Sequence, residues 1–210
     1  MRFRIRTVVF PLIAINVIIF LFQVLLGKNF TEAFILISSD IFTRPWILLT
    51  YMFMHAGISH IFFNMYGLLL FGPLLESKIG PKRFLFIYIG SGIIAGFLSS
   101  FFYPAALGAS GAIMGMIGTL IILMPDLKLL FLFLIPMPLW FAGVIWVILD
   151  CFGVLFPAGI GNIAHLIGMG FGLLYGLYLK KQKRTFTKKF NSKMHLDSED
   201  IEEYIKSGRI

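Results

Sequence analysis

The feature that most constrains the fold of this chain is the length of its segments without charged residues. Forty-two consecutive residues, from Phe84 to Pro125, carry no Asp, Glu, Lys or Arg, and neither does the segment from Thr7 to Gly27. A helix needs about 20 apolar residues to cross a hydrocarbon core about 30 Å thick. Only 13% of the residues are charged, against about 25% in an ordinary soluble domain. We therefore expect a membrane protein.

The apolar segments between charges predict six membrane-spanning helices. The longest charge-free segment has room for two spans, because Tyr103–Gly108 contains a proline and a glycine that favour a turn. The expected spans are Val8–Leu26, Ile58–Leu75, Phe84 to the turn at Tyr103, Ser110–Met124, Leu129–Leu149 and Asn162–Leu179. The expected fold class is an all-α polytopic membrane protein. Its domains are a six-span bundle in residues 1–179 and a basic and then acidic cytoplasmic tail in residues 180–210.

The distribution of Lys and Arg predicts the orientation of the spans. If both termini are cytoplasmic, sixteen of the 18 basic residues lie in cytoplasmic segments, and only Lys28 and Arg44 lie outside. Cytoplasmic loops carry such an excess of basic residues. We therefore expect a multi-pass protein of a prokaryotic cell membrane with both termini in the cytoplasm. The positive charges lie at the chain ends and in one connecting loop, which favours the lipid bilayer rather than nucleic acid as a partner.

Polar side chains within the spans are expected to meet at one depth. Such groups are costly inside a membrane and are usually functional. Spans two, four and six enter from the outer side in this topology, and their first turns carry His60 with Asn64, Ser110, and His165, respectively. His60 and Asn64 are four residues apart and therefore share one face of a helix. The four side chains are expected near the outer leaflet.

Two patterns favour a submerged site around Ser110. Span four has 15 residues from Ser110 to Met124, about 22 Å of helix at about 1.5 Å per residue, which is too short to cross. Ser110 is therefore expected in a wet pocket, with Pro104–Ala109 dipping inward as irregular backbone. Glycines with fourfold spacing let spans four and six approach closely. They are Gly111, Gly115, Gly168, Gly172 and Gly176.

Ser110 and His165 are a candidate nucleophile and general base. A serine hydroxyl becomes a good nucleophile when a neighbouring base removes its proton, and a neutral imidazole has suitable basicity near pH 7. An attacked carbonyl group becomes an oxyanion that needs hydrogen-bond donors. His60, Asn64 and the backbone N–H of Ser110 are the candidate donors. This chemistry calls for no cofactor and no metal.

Three motifs, in order along the chain, resemble those of the rhomboid family. The segment Gly108–Gly111, GASG, is similar to the family's GxSG motif. The segment His55–Asn64, HAGISHIFFN, resembles the histidine and asparagine pattern of the family's second span. The segment Ala164–Gly172, AHLIGMGFG, resembles the AHxxGxxxG motif of its sixth span. The resemblance covers roughly residues 8–179.

This resemblance implies an intramembrane serine endopeptidase that cleaves transmembrane segments of other proteins near the outer leaflet. It implies a Ser–His dyad without a third acidic member, with Ser110 as nucleophile and His165 as base. His60 and Asn64 correspond to the oxyanion stabilisers. Two positions depart from the family pattern. Ile47 follows Trp46 where an arginine is common, and Met114 stands where an aromatic side chain often packs on the catalytic imidazole.

The remaining ionisable residues are interpreted as structural. His55 is expected to be a hydrogen-bonding residue at the start of span two. Glu76 is expected to pair with the nearby basic residues Lys78, Lys82 or Arg83. Asp126 and Asp150 lie at the ends of expected spans, where an interfacial carboxylate is ordinary.

Two alternatives stay open from the sequence. One is a catalytically inactive rhomboid-like scaffold that binds transmembrane helices. The other is a metal or haem membrane protein that uses His55, His60 and His165, although no Cys, Asp or Glu stands at ligand spacing near them.

Overall fold

The computed structural model describes residues 7–131, 135–157 and 159–191. In this part the chain is mainly helical, which confirms the expected fold class of an α-helical membrane protein. The helices are α1 (Val9–Phe34), α2 (Ile47–Thr50), α3 (Ile58–Ile79), α4 (Pro81–Ser99), α5 (Ser110–Leu123), α6 (Leu139–Leu155) and α7 (Asn162–Asn191). Four of them, α1, α3, α4 and α7, contain segments long and apolar enough to cross a membrane, and α5 and α6 are shorter apolar helices. The count of six spans stays a prediction.

The first and the last helix are both longer than the expected spans. Helix α1 continues past the expected end at Leu26, through a kink at Gly27, where a φ of 74° interrupts the helical backbone. Helix α7 continues past Leu179 to Asn191, so the first part of the predicted tail is helical. Residues 1–6 and 192–210, which include the N-terminal arginines and the acidic end of the tail, lie outside the described residues.

Glu76, at the end of α3, binds the beginning of α1. Its carboxylate accepts a hydrogen bond from the backbone N–H of Val8, at 2.9 Å, and another from the hydroxyl of Thr7. The expected pairing with nearby lysines or arginine is wrong, since the described ion pairs do not include Glu76. The physical reason is that the first N–H groups of a helix have no partner within the helix, and a carboxylate suits this positive end.

The segment before the serine is more regular than expected. Strand β1 (Leu36–Ile37) pairs in antiparallel fashion with β2 (Ala105–Ala106). The N–H of Ser38 also donates to the carbonyl oxygen of Pro104, at 3.0 Å. Backbone polar groups near a membrane must find partners within the protein. This short pairing, rather than irregular backbone alone, supplies them.

The fifth span is displaced from its predicted position. Instead of a helix over Leu129–Leu149, a hairpin of strands β3 (Lys128–Phe131) and β4 (Ile135–Pro138) precedes α6. Pro136 and Pro138 explain the shift, because proline has no N–H for the helical ladder and its ring clashes with the preceding turn. The helix therefore begins at Leu139 and continues six residues beyond the predicted end.

Helix α5 is the central helix of the bundle. Its residues from Gly111 to Leu120 are buried on almost every side, with Met114 the half-buried exception. A helix that is apolar all round is stable when other helices surround it. In contrast, α6 exposes large apolar side chains such as Phe141, Leu149 and Phe152. A contiguous exposed apolar face of this kind suits contact with lipid.

Candidate active site

The backbone before Ser110 is held in a conformation that only glycine adopts easily. Gly108 has a φ of 117°, and its N–H donates to the carbonyl oxygen of Tyr51 at 2.9 Å. A methyl group added to Gly108 would also lie 2.7 Å from the ring of His60. Left-handed backbone and close approach both require a residue without Cβ. The turn delivers Ser110 to the first position of α5.

Helices α5 and α7 meet backbone to backbone, as the glycine spacing predicts. A Cβ added to Gly168 would lie closer than 3.0 Å to the carbonyl oxygen of Gly111, and one added to Gly172 would meet Gly115 in the same way. The hydroxyl of Thr119 lies 3.0 Å from the carbonyl oxygen of Gly172. Small residues make this separation possible. We call these contacts the glycine seam.

The glycine seam brings Ser110 and His165 together at the end where both helices begin. His165 lies in the first turn of α7, where its N–H donates to the carbonyl oxygen of Gly161 at 3.0 Å. Its Nε2 lies 2.8 Å from Oγ of Ser110. This distance is within hydrogen-bonding range for a nucleophile and its base. Ser110 is half-buried, so the pair is reached from a restricted side of the bundle.

His60 and Asn64, on α3, face the same turn. A methyl group on Gly108 would lie 2.7 Å from Nε2 of His60 and 3.7 Å from Nδ2 of Asn64. Nδ1 of His60 accepts the N–H of Ala56 at 3.3 Å, which leaves Nε2 as the protonated nitrogen that can donate. Nδ2 of Asn64 is buried and has no partner among the described residues. The site thus holds two donors directed at the backbone beside Ser110.

A fifth side chain, which the sequence analysis did not include in the site, contacts His165. Oδ1 of Asp150, on α6, lies 3.0 Å from Nδ1 of His165. The interpretation of Asp150 as an interfacial carboxylate is wrong, since the residue is buried. A signal was present, because Asp150 is the only Asp, Glu, Lys or Arg between Lys128 and Lys180. The predicted span five ended at Leu149, so Asp150 was placed outside the helix and was not considered as a partner of His165.

His55 supports the site through its backbone. Its N–H donates to Oε1 of Gln23 at 2.9 Å, and Nε2 of Gln23 donates back to its carbonyl oxygen at 3.3 Å. The ring instead packs edge-on against His60, with centroids 5.1 Å apart. Burial, with a smaller contribution from the charge of His60, lowers the pKa of His55 to about 4. The ring is therefore neutral near pH 7, and the structural interpretation of His55 holds with a different bonding pattern.

The histidines do not form a metal-binding group in the described part of the chain. No three His, Cys, Asp or Glu side chains come close enough there to hold a metal ion. The groups around His165 are instead a hydroxyl and a carboxylate. This arrangement is suited to proton transfer at Ser110.

Comparisons with known proteins agree with these motifs. Residues 43–182 match the family model described as Rhomboid domain. The chain is 34% identical over 190 residues to "Rhomboid protein 1, mitochondrial" of Saccharomyces cerevisiae, covering 84% of this chain and 54% of that protein. It is 26% identical over 143 residues to "Rhomboid protease GlpG" of Haemophilus influenzae, covering 68% of this chain and 73% of that protein. It is 45% identical over 78 residues to "Rhomboid protease GluP" of Bacillus subtilis, covering 36% and 15%.

Several of these relatives are longer than the part that this chain matches. The chain spans about half the length of several curated relatives that it matches, such as the yeast protein with 54%. Relatives named as mitochondrial and relatives from bacteria both occur. The expected prokaryotic cell membrane is therefore not supported, whereas the apolar helices do indicate a membrane protein. With the family model matched over residues 43–182 and the three motifs in order within it, this chain belongs to the rhomboid family.

Proposed function

We propose that this chain is an intramembrane serine endopeptidase in which Ser110 is the nucleophile and His165 the general base. The observation that carries the proposal is the distance of 2.8 Å between Oγ of Ser110 and Nε2 of His165. The pair lies between two apolar helices, where a serine and a histidine have no need to meet for packing alone. Relatives named as proteases agree with this kind of chemistry.

The reaction follows from the proton positions. Nε2 of His165 takes the hydroxyl proton while Oγ of Ser110 bonds to the carbonyl carbon of the substrate. The tetrahedral intermediate collapses when His165 returns that proton to the departing amine, which leaves an acyl group on Ser110. A water molecule then loses a proton to His165 and attacks the acyl carbon, and Oγ leaves with the proton. The peptide bond is thereby hydrolysed, and the site is restored.

His60 and Asn64 are proposed as oxyanion stabilisers. Nδ2 of Asn64 has no described hydrogen-bond partner although it is buried, and Nε2 of His60 is left free to donate by the bond at Nδ1. The N–H of Ser110 at the start of α5 is a third donor, since the first N–H groups of a helix have no helical acceptor. Donors fixed before the reaction stabilise charge where it develops.

The proposed substrates are transmembrane segments of other proteins. Ser110 lies at the end of a helix that is enclosed by its neighbours, so a substrate reaches it as an extended strand rather than as a closed helix. Helix-destabilising residues near the scissile bond are therefore expected to favour cleavage. The excess of basic residues in the predicted cytoplasmic segments supports an orientation with the site towards the outer leaflet and both termini cytoplasmic.

A fluorophosphonate probe tests the proposal on the purified full-length protein. We expect covalent labelling, together with cleavage of a transmembrane substrate, and loss of both in Ser110→Ala and in His165→Ala. Ser77→Ala is the matched control. Ser77 is an exposed serine near the end of α3, whereas the site lies at the start of that helix. Substrate binding without labelling or cleavage would identify a helix-binding scaffold instead. Stoichiometric metal in the purified protein would favour the metalloprotein alternative.

A further inference from the structure

Asp150 lies on the buried side of an otherwise lipid-exposed helix. It continues the buried stripe of α6 formed by Leu139, Ala142 and Gly143, with spacings that repeat on one helical face. Its neighbours Leu149 and Cys151 are exposed. An ionisable residue that faces the interior of a membrane bundle is costly and usually has a function. Packing alone does not explain an acid at this position.

The carboxylate of Asp150 has one described hydrogen-bond partner, the imidazole of His165. The distance from Oδ1 to Nδ1 is 3.0 Å, and the two side chains are 10% and 13% exposed. No Lys or Arg pairs with Asp150 among the described salt bridges. Because a buried carboxylate needs a donor, His165 is the group that stabilises it.

The contact between α6 and α7 beside this pair is close. A Cβ added to Gly153, three residues after Asp150, would lie closer than 3.0 Å to the side chain of Asn162 at the start of α7. Asn162 is buried, and its Nδ2 donates to the carbonyl oxygen of Ile160 at 3.3 Å. The glycine lets α6 approach the first turn of α7, where His165 lies. The Asp150–His165 distance is thus set by helix packing.

We propose that Asp150 is a positioning residue that holds His165 in the tautomer and orientation needed to take the proton of Ser110. A carboxylate only accepts hydrogen bonds, so Nδ1 of His165 carries the proton and Nε2 keeps its lone pair for the Ser110 hydroxyl. When His165 becomes an imidazolium during the reaction, the adjacent negative charge stabilises it. This inference rests on the proposed function and adds an acidic member to the Ser–His dyad that the family resemblance implies.

Few other groups are able to influence His165 in the described part of the chain. From α5 it faces the Ser110 hydroxyl. On α3, His60 is the nearby titratable side chain, and its ring lies beside the turn at Gly108. The hydroxyl of Tyr103 lies next to the start of α7, where it accepts the N–H of Ile163 at 3.1 Å. None of these three groups is a carboxylate. Asp150 is therefore the acidic side chain that the described hydrogen bonds place beside His165.

The first test measures substrate turnover by Asp150→Asn and Asp150→Glu across pH 5 to 9. For Asp150→Asn we expect kcat to fall about 10²- to 10⁴-fold with little change in KM, because the nearly isosteric amide favours the wrong tautomer. The acid limb of the remaining activity should move to lower pH, because the lost negative charge no longer favours the imidazolium. Asp150→Glu keeps the charge and should restore part of kcat and the wild-type acid limb.

Asp126→Asn is the matched control, because Asp126 is exposed in the turn after α5 and makes none of the described hydrogen bonds to a histidine. It should leave kcat and the pH profile unchanged. Wild-type kcat and acid limb in Asp150→Asn, in a protein whose Ser110→Ala variant is inactive, would overturn the inference while leaving the proposed function intact.

The second test does not depend on activity or on any variant of Asp150. In folded wild-type protein labelled with ¹⁵N-histidine, NMR should show His165 protonated at Nδ1 and unprotonated at Nε2 at neutral pH. The signal is assigned by its absence from His165→Gln. Protonation at Nε2 instead would overturn the inference, whether or not the protein proves to be a protease.

Discussion

The glycine seam and the flanking helices α3 and α6 contribute to the site in different ways. In the seam, α5 and α7 touch through backbone atoms, so Ser110 and His165 sit on two helices whose separation is fixed by Gly168 and Gly172. Helices α3 and α6 reach the same site with side chains only, through Asn64 and Asp150. The comparison teaches that nucleophile and base depend on backbone separation, whereas the supporting groups depend on individual side chains.

Among the three substitutions Gly168→Ala, Asn64→Ala and Gly143→Ala, the largest combined effect on stability and activity is expected for Gly168→Ala, which forces a side chain into the glycine seam. In Gly168→Ala the new methyl group overlaps the carbonyl oxygen of Gly111, which cannot rotate away. We expect a loss of about 1–3 kcal/mol in stability from overpacking. A displacement of about 1 Å in the Ser110–His165 geometry should lower kcat about 10²-fold or more. Thermal unfolding and fluorophosphonate labelling rates measure the two effects.

Gly170→Ala is the control for that experiment. Gly170 lies on the same helix, two residues further on, and an added methyl group meets nothing within 4 Å. Its stability and labelling rate should match those of the wild type. Equal effects of the two substitutions would show that helix composition, rather than backbone contact, determines the geometry.

An intermediate effect is expected from a flanking helix that contributes one side chain. Asn64→Ala should lower kcat by about 10²-fold, the usual order for loss of one oxyanion donor. Stability should change little, because Nδ2 of Asn64 has no described partner to lose. The measurements are kcat with a transmembrane substrate and the midpoint of thermal unfolding.

Asn16→Ala serves as the matched change for Asn64→Ala. Asn16 is also buried, but its Nδ2 donates to the carbonyl oxygen of Leu12 within α1 at 2.8 Å. That variant should keep kcat even if it loses stability. Full activity of Asn64→Ala would assign Asn64 a structural role instead.

The smallest effect is expected for a glycine on a flanking helix. A Cβ added to Gly143 of α6 would overlap the side-chain end of Ile121, not a backbone atom. A flexible side chain can move into another rotamer, so Gly143→Ala should cost less than about 1 kcal/mol and leave labelling within a few-fold of wild type. A loss of stability and of labelling rate as large as that in Gly168→Ala would show that backbone contact in the glycine seam is no more sensitive than side-chain contact at α6.

The elements predicted well from the sequence are those whose signal is local. Fourfold glycine spacing predicted the close approach of α5 and α7, and the motifs predicted helices that begin near Ser110 and His165. The predicted position of span five was wrong, because hydrophobicity alone did not distinguish a strand from a helix. Its two prolines, Pro136 and Pro138, were the signal that no helix forms there. A prediction that took them into account would have started the helix at Leu139 and would have included Asp150 in it.

The sequence by itself determined that this chain is a membrane protein and which polar groups lie near the starts of its helices. Long charge-free segments and glycine periods are properties of single stretches of chain, so no neighbour is needed to recognise them. Only the tertiary structure decided which side chains are partners. Glu76 binds Val8 across 68 positions, and Asp150 meets His165 across 15. Such pairings depend on helix rotation and separation, which are set by packing against the rest of the bundle.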